Sequence, residues 1–514
     1  MNANPTFDVI VIGAGIAGIS TVYHLINEYN YKGKLALLDA RARIGGRIDG
    51  MVIDDKHVEL GANWIHGLIN NPLYALALKY GLVNPFTKGL NLMSKEDRYV
   101  AGVMSTGEKI PFSIIENVCK TYFWIIKKAE NYYEKFCGGE DLPIHEFNDS
   151  FGLFVEKEID NYLKLKSDKE REIENAIFQQ LLKRETNISG CHSMREISLK
   201  YFGAYEELPG GNLTIPYGGY TSLLFCLLND IKNKLNNDKR DDSFALLLDH
   251  EVVKIKWSGV GNQSKQMIKV DCSNGKTFEA NHVVISLPLG VLKNQASSLF
   301  EPSLPEYKLD CIKALGFNVV NKIFLEYKNR LSPQYWNPKI DELFCFWTEE
   351  QNEWFAKIYS FEKIGDRILL AWVSGEEAKI VEKLEPLEVG KTLTKWLRVF
   401  TNNPDFPEAE NVFVTNWGSD RFTNGAYTYI PANSSVRDIE LLSQPIYSDP
   451  GADKPQIVFA GEACHPSFFS TAHGAFITGR KAAFYLLDTD KDDVDKHDKA
   501  SLDAKLNASR LEKN

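Results

Sequence analysis

FDVIVIGAGIAGISTVYHLI, residues Phe7 to Ile26, sets a β-branched apolar run against a glycine-rich turn and then an apolar pattern of helical period. Gly13, Gly15 and Gly18 form GxGxxG directly after the strand and directly before the helix. In that context the backbone can approach a pyrophosphate closely, and the helix N-terminus favours its negative charge. KLALLDA (34–40) supplies a second strand ending in Asp39, whose carboxylate can accept hydrogen bonds from the hydroxyls of an adenosine ribose. Strand, helix and terminal acid together predict a βαβ unit that binds a dinucleotide, rather than a glycine turn in a buried α/β core. ARARIGGR (40–47) follows. Its paired Gly45 and Gly46 let a backbone pass close to a ligand, and an arginine there, Arg41 or Arg47, can pair with a diphosphate; the alternative is a solvated basic loop.

The remaining composition narrows the class. The 514 residues are 44% apolar and 25% charged, enough for two or more packed cores and unlike a disordered chain. A net charge of −10 argues against nucleic acid as a partner and leaves room for a cationic ligand. The eight cysteines include no CxxC pair, which predicts free thiols in a reducing compartment and no metal site. The N-terminal apolar run is too short to span a bilayer, no basic leader precedes it, and the chain ends in RLEKN rather than a peroxisomal tripeptide. A cytoplasmic protein without membrane contact is the expectation.

The chain reads as interleaved segments. A dinucleotide-binding domain is expected from 1–88, 209–303 and 409–488, and a second domain from a helical segment 89–208 and a sheet segment 304–408; 489–514 is a charged tail. HEVVKIKWSG (250–259), MIKVDCSNGKTFEA (267–280) and HVVISLPLGVL (282–292) supply strands, with an SNG turn between two of them.

These phrases resemble the flavin-dependent amine oxidases, in which strand, GxGxxG, acid and RxGGR bind FAD. The resemblance continues in order through ELGANWIHG (59–67), LPGGNLTIPYGGY (208–220), SLPLGVLK (286–293), GFNVVNKIFLEY (316–327), NGAYTYIP (424–431) and FAGEACHPSFFSTAHGAFITGR (459–480), over nearly all of the chain but the tail. Within that family the sequence is similar to the animal-type polyamine oxidases. The resemblance implies a mixed α/β fold, with a Rossmann-like FAD-binding domain and an interleaved substrate-binding domain. It also implies oxidation of spermine or an N-acetylated polyamine by hydride transfer to flavin, with dioxygen reduced to hydrogen peroxide. A demethylase-like action on methylated lysine and a catalytically silent flavin-binding scaffold are the alternatives.

Site residues follow from the same resemblance, position by position. Asp39 stands where the family has a longer Glu on the ribose, Val252 presents backbone to the adenine, and Gly461 and Glu462 meet the ribityl chain. Thr471 and Ala472 open the final helix toward the flavin pyrimidine, and Asn63 and Trp64 belong to the flavin-facing segment. Where monoamine oxidases have a flavin-linked Cys, this chain has Ala426 between Gly425 and Tyr427, so FAD is expected to be noncovalent. Thr471 also occupies the place of the second cage tyrosine of those enzymes, which suits a slender polyamine. Lys322 corresponds to the lysine that holds a water at the flavin's reactive nitrogen; read alone, it could be an outward-facing strand residue. His66 corresponds to a catalytic-site histidine of the substrate tunnel that can hydrogen-bond the amine or influence its protonation, a structural histidine being the alternative. Tyr427 and Tyr429 offer an aromatic wall, with core packing the alternative for Tyr429. Glu185 resembles a carboxylate that pairs with a distal ammonium, or belongs to a solvated helix face, and Asn321 offers a polar contact. Amine oxidation needs a neutral nitrogen beside the C–H bond that breaks, whereas an alkylamine is mostly protonated near neutral pH.

Overall fold

The computed structural model describes residues 4–87, 99–140, 142–261, 266–348, 353–449 and 451–487. The expected charged tail at 489–514 lies outside the described residues.

The opening strand, Thr6–Ile12, runs parallel to Thr277–Ile285 on one side and to Leu35–Leu38 on the other, with Phe244–Leu247 beyond. Val9, Ile10 and Val11 are fully buried because both faces of the strand are covered: Val9 and Val11 pack among Ile19, Leu224 and Ala483 of three helices, and Ile10 among Val252, Val270 and Leu292, leaving no polar face to alternate. Val252–Lys256, Ile268–Cys272 and Phe300–Glu301 extend this first sheet at one edge, and Ile457–Phe459 pairs with Thr277–Ile285. Its strands therefore come from three separated stretches of chain. The helix Ile16–Tyr23 leaves the glycine turn at once. A Cβ on Gly18 would lie 2.0 Å from the Gly13 carbonyl oxygen, so glycine is required for the helix to sit this close to the turn.

The second sheet has the order Asn411–Val414, Val320–Glu326, Ile368–Ser374, Ser360–Gly365, Glu342–Phe346, Val100–Met104, Lys109–Ile110. Helices Phe112–Cys137, Phe151–Leu163 and Asp168–Ser189 pack on one face through Ile115, Phe154 and Leu181 against Phe344 and Phe346. Two departures from the sequence reading concern this sheet. The segment 89–208 is not purely helical: Val100–Met104 pairs in parallel with Glu342–Phe346 before the helices begin. Asn411–Val414, beyond the boundary expected at 408, pairs with Val320–Glu326. Both strands are short and are stabilised by partners far away in sequence, which a local pattern does not register.

All eight cysteines are free. No described helix is long and apolar enough to cross a membrane, and no group of described His, Cys, Asp or Glu residues could hold a metal ion.

Candidate active site

A cavity of about 1610 Å³ reaches from the glycine turn to Lys322 and Trp372 of the second sheet, and on to helices Phe112–Cys137 and Asp168–Ser189. That exceeds the space of a typical small-molecule pocket, roughly 300–1,000 Å³, and gives room for a dinucleotide and a second ligand.

At the nucleotide end Gly13, Gly15, Gly45 and Gly46 line the wall. Gly18 does not; it lies beneath the turn and keeps the helix in place. Asp39 is buried and knits the turn together: one carboxylate oxygen accepts from Ala14 N–H at 2.8 Å and the other from Arg41 N–H at 2.9 Å. Burial raises its pKa while those two N–H groups oppose the shift, and each oxygen keeps a lone pair for a further donor. Val252 lines the same end. Ser286, not singled out from sequence, ties the turn to the neighbouring strand by donating to the carbonyls of Ile12 and Gly13, both at 2.9 Å. Arg41 and Arg47 also line the cavity, but both already have protein partners. Arg41 pairs with Asp420. Arg47 donates to Glu462 at 2.8 Å and to the Ala426 carbonyl at 2.7 Å.

Beside Arg47, Glu462 is buried and accepts from it, from the Thr428 hydroxyl at 3.1 Å and from Ser470 N–H at 2.9 Å. Gly461 has φ +142°, and a Cβ there would meet no protein atom within 4 Å, so the chain leaves open space beside the cavity. Thr471 caps the last helix among the described residues, Ala472–Tyr485, by accepting from Gly474 N–H at 2.9 Å. Thr471 and Ala472 line the cavity, which places the positive end of the helix dipole there. A glycine turn at one helix N-terminus, an acid beside it and a second helix N-terminus on the same cavity form a donor set that fits FAD.

Lys322 lines the same cavity, 2% exposed. Its Nζ donates to the carbonyls of Glu59 at 2.6 Å and Gly61 at 2.9 Å, with Asn63 Oδ1 at 3.4 Å, and lies 4.7 Å from the centre of the Trp372 ring. Burial pushes its pKa down to about 7, against the attraction of Glu59 and Glu362. Its neighbour Asn321 does not reach the cavity, contrary to the sequence reading. Its Nδ2 donates to Glu382 at 2.7 Å and its Oδ1 accepts from Thr415 at 3.1 Å, because successive side chains of a strand leave opposite faces.

The remaining expected residues converge on the cavity. His66 is half-buried, its Nδ1 3.0 Å from Asn212 Oδ1, and burial lowers its pKa. That contact assigns the proton to Nδ1 and leaves Nε2 as an acceptor. Trp64 lines the wall, its carbonyl accepting from the Tyr220 hydroxyl at 2.7 Å. The Tyr427 hydroxyl donates to the Asn187 carbonyl, and the Tyr429 hydroxyl to Glu196 at 2.6 Å. Glu185 is raised to about 7 by burial; Arg184 opposes the shift, and Glu207 and Glu130 add to it. Sequence reasoning missed Tyr122, whose buried hydroxyl has no protein partner, as well as Trp372 and the wall acids Glu130, Glu134, Glu206 and Glu207. Trp372 stands directly opposite Lys322 in strand register, a pairing that becomes readable only once the two strands are known to be neighbours.

Comparison with known proteins agrees with this geometry. The family described as flavin containing amine oxidoreductase matches residues 16–487. The peroxisomal N(1)-acetyl-spermine/spermidine oxidases of Bos taurus and Homo sapiens are each 30% identical, over 93% of this chain and 94% of theirs. A solved putrescine oxidase bound to putrescine superposes with a TM-score of 0.67 at 17% identity, covering 94% of this chain and 99% of that one, which establishes the shared fold.

Proposed function

Because the chain belongs to the family of flavin containing amine oxidoreductases, we propose that it oxidises a polyamine of the spermine or spermidine class, free or N-acetylated. In sum, R–CH₂–NH–R′ with dioxygen and water gives an aldehyde, a shorter amine and hydrogen peroxide. The observation that carries this reading is the continuity of the cavity: it joins the dinucleotide turn, the buried Lys322 and a wall bearing Glu130, Glu134, Glu185, Glu206 and Glu207. A chain of spaced ammonium groups finds successive carboxylates there. The names of the two mammalian relatives support the same substrate class.

FAD, when bound, supplies the acceptor for the hydride that leaves the carbon beside nitrogen. Gly13, Gly15, Asp39, Val252, Gly461, Glu462 and Ala472 hold it without a covalent link, since Ala426 has no thiol. The protein's own tasks are to align the amine and to keep its reacting nitrogen neutral. His66 Nε2 offers a lone pair to an amine N–H, and its burial disfavours the imidazolium that would repel a cationic chain. Lys322 with a neutral Nζ has two N–H groups for its two nearer carbonyl partners and one lone pair left to accept a proton. The rings of Tyr427 and Tyr429 flank the path as walls that attract cations.

The test is peroxide release from the flavin-loaded protein with spermine, spermidine and their N-acetyl derivatives, alongside a methylated lysine peptide. Turnover of at least one polyamine and none of the peptide is expected. Peroxide from the peptide alone, or from nothing, would overturn the reading.

A further inference from the structure

Lys322 is embedded in a set of charges that the sequence motifs do not identify. Glu59, at the end of the strand Lys56–Glu59, gives its carbonyl to Lys322 Nζ at 2.6 Å. Its carboxylate turns to the start of the helix Gly219–Asn237, where Oε1 accepts from Tyr220 N–H at 2.7 Å and lies 3.6 Å from His57 Nε2. Glu59 is 7% exposed, and both its Oε2 and His57 Nε2 are buried without a hydrogen-bond partner. A carboxylate with an unused oxygen is costly to bury unless nearby positive charge compensates it. Burial raises the pKa of Glu59, and the Tyr220 amide and the basic groups facing it, His57 and Lys322, oppose that shift. On its other side Lys322 faces Trp372, whose indole N–H donates to Glu362 at 3.0 Å.

We propose that Glu59, oriented by His57 and the Tyr220 amide, is a positioning residue that sets the proton affinity of Lys322. The inference rests on the role assigned to Lys322 under the proposed function. Among the described residues, Glu59 exerts the larger attraction on the ammonium and Glu362 the smaller. Without Glu59's charge, burial acts less opposed and Lys322 loses its proton at lower pH. Glu59 and His57 thereby place the pH at which Nζ becomes a neutral acceptor, although neither touches the amine.

Lys322 titrates at about 7 when folded, against an ordinary 10.5. Between those values the unfolded chain binds more protons, so the lysine's contribution to stability rises with pH across that window; below it, the full penalty of the buried charge remains. Lys322→Met removes this rise. The experiment measures Tm of the flavin-loaded protein between pH 5 and 10, with and without Lys322→Met, in three backgrounds: wild type, Glu59→Gln and Glu59→Asp. The Tm difference attributable to Lys322 should begin to climb near pH 7 in wild type, at least half a pH unit lower in Glu59→Gln, and near the wild-type position in Glu59→Asp. The pH at which the rate of anaerobic flavin reduction by spermine rises should move in parallel.

An unchanged onset in Glu59→Gln would overturn the inference, as would equal shifts in Gln and Asp, which would indicate shape rather than charge. If Glu59→Gln does not fold, recovery of folded protein on adding Lys322→Met supports the coupling and failure to recover it refutes the coupling. An onset that shifts as stated in a protein that oxidises no polyamine would sink the proposed function and leave this inference standing.

Discussion

Two adjacent side chains, Asn321 and Lys322, make opposite contributions. Lys322 faces the cavity and Asn321 the reverse side of its sheet, where it joins Glu382, Thr415 and the Trp417 amide. Lys322→Met should slow flavin reduction or reoxidation tenfold or more, about 1.4 kcal/mol of barrier per factor of ten, while leaving FAD bound; stopped-flow spectroscopy of both half-reactions checks this. Asn321→Ala should cost about 1–3 kcal/mol of stability through the partners it abandons, measured by denaturant unfolding, and leave the order of preferred amines unchanged. The sequence did not separate the two because the strand Val320–Glu326 is buried along its whole length. Period-2 alternation distinguishes faces only when one of them is wet. His66, by contrast, was legible because its surrounding phrase is local and continuous.

At the level of elements, the glycine turn, the acid-ended second strand and the final helix were readable because each is specified within about 25 residues of chain, through turn glycines, apolar period and capping residues. Val100–Met104 and Asn411–Val414 were not, since each owes its conformation to a partner strand distant in sequence. A less visible device lies in the helix Glu306–Ala314. Lys308 is fully buried, with Nζ donating to the carbonyls of Leu441, Leu442 and Gln444 around the end of the helix Val436–Ser443. Its N–H groups satisfy carbonyls at the negative end of that helix, while burial pushes its pKa down to about 7. Lys308→Met should lower stability by about 2 kcal/mol or more by leaving buried carbonyls without a donor, read as a lower urea midpoint with FAD still bound.

For the molecule as a whole, the net charge of −10 and the acids of the cavity wall predict how salt acts. Raising ionic strength should increase KM for tetracationic spermine more than for a monocationic amine, because screening weakens a multivalent attraction most; initial-rate kinetics at two salt concentrations checks this. The purified protein should be yellow and release its flavin on acid precipitation, since position 426 has no thiol to retain it.

The first sheet receives Ile457–Phe459 late, and Ser20 of the first helix donates to the Phe476 carbonyl of the last at 2.6 Å. The cofactor seat is thus closed by residues far along the chain from those that open it. A nascent polypeptide whose final helix is still inside the ribosome has a phosphate turn with no opposite wall. Flavin capture is therefore expected only once the helix Ala472–Tyr485 has docked, and truncation ahead of Ala472 should yield apoprotein however intact the opening motif.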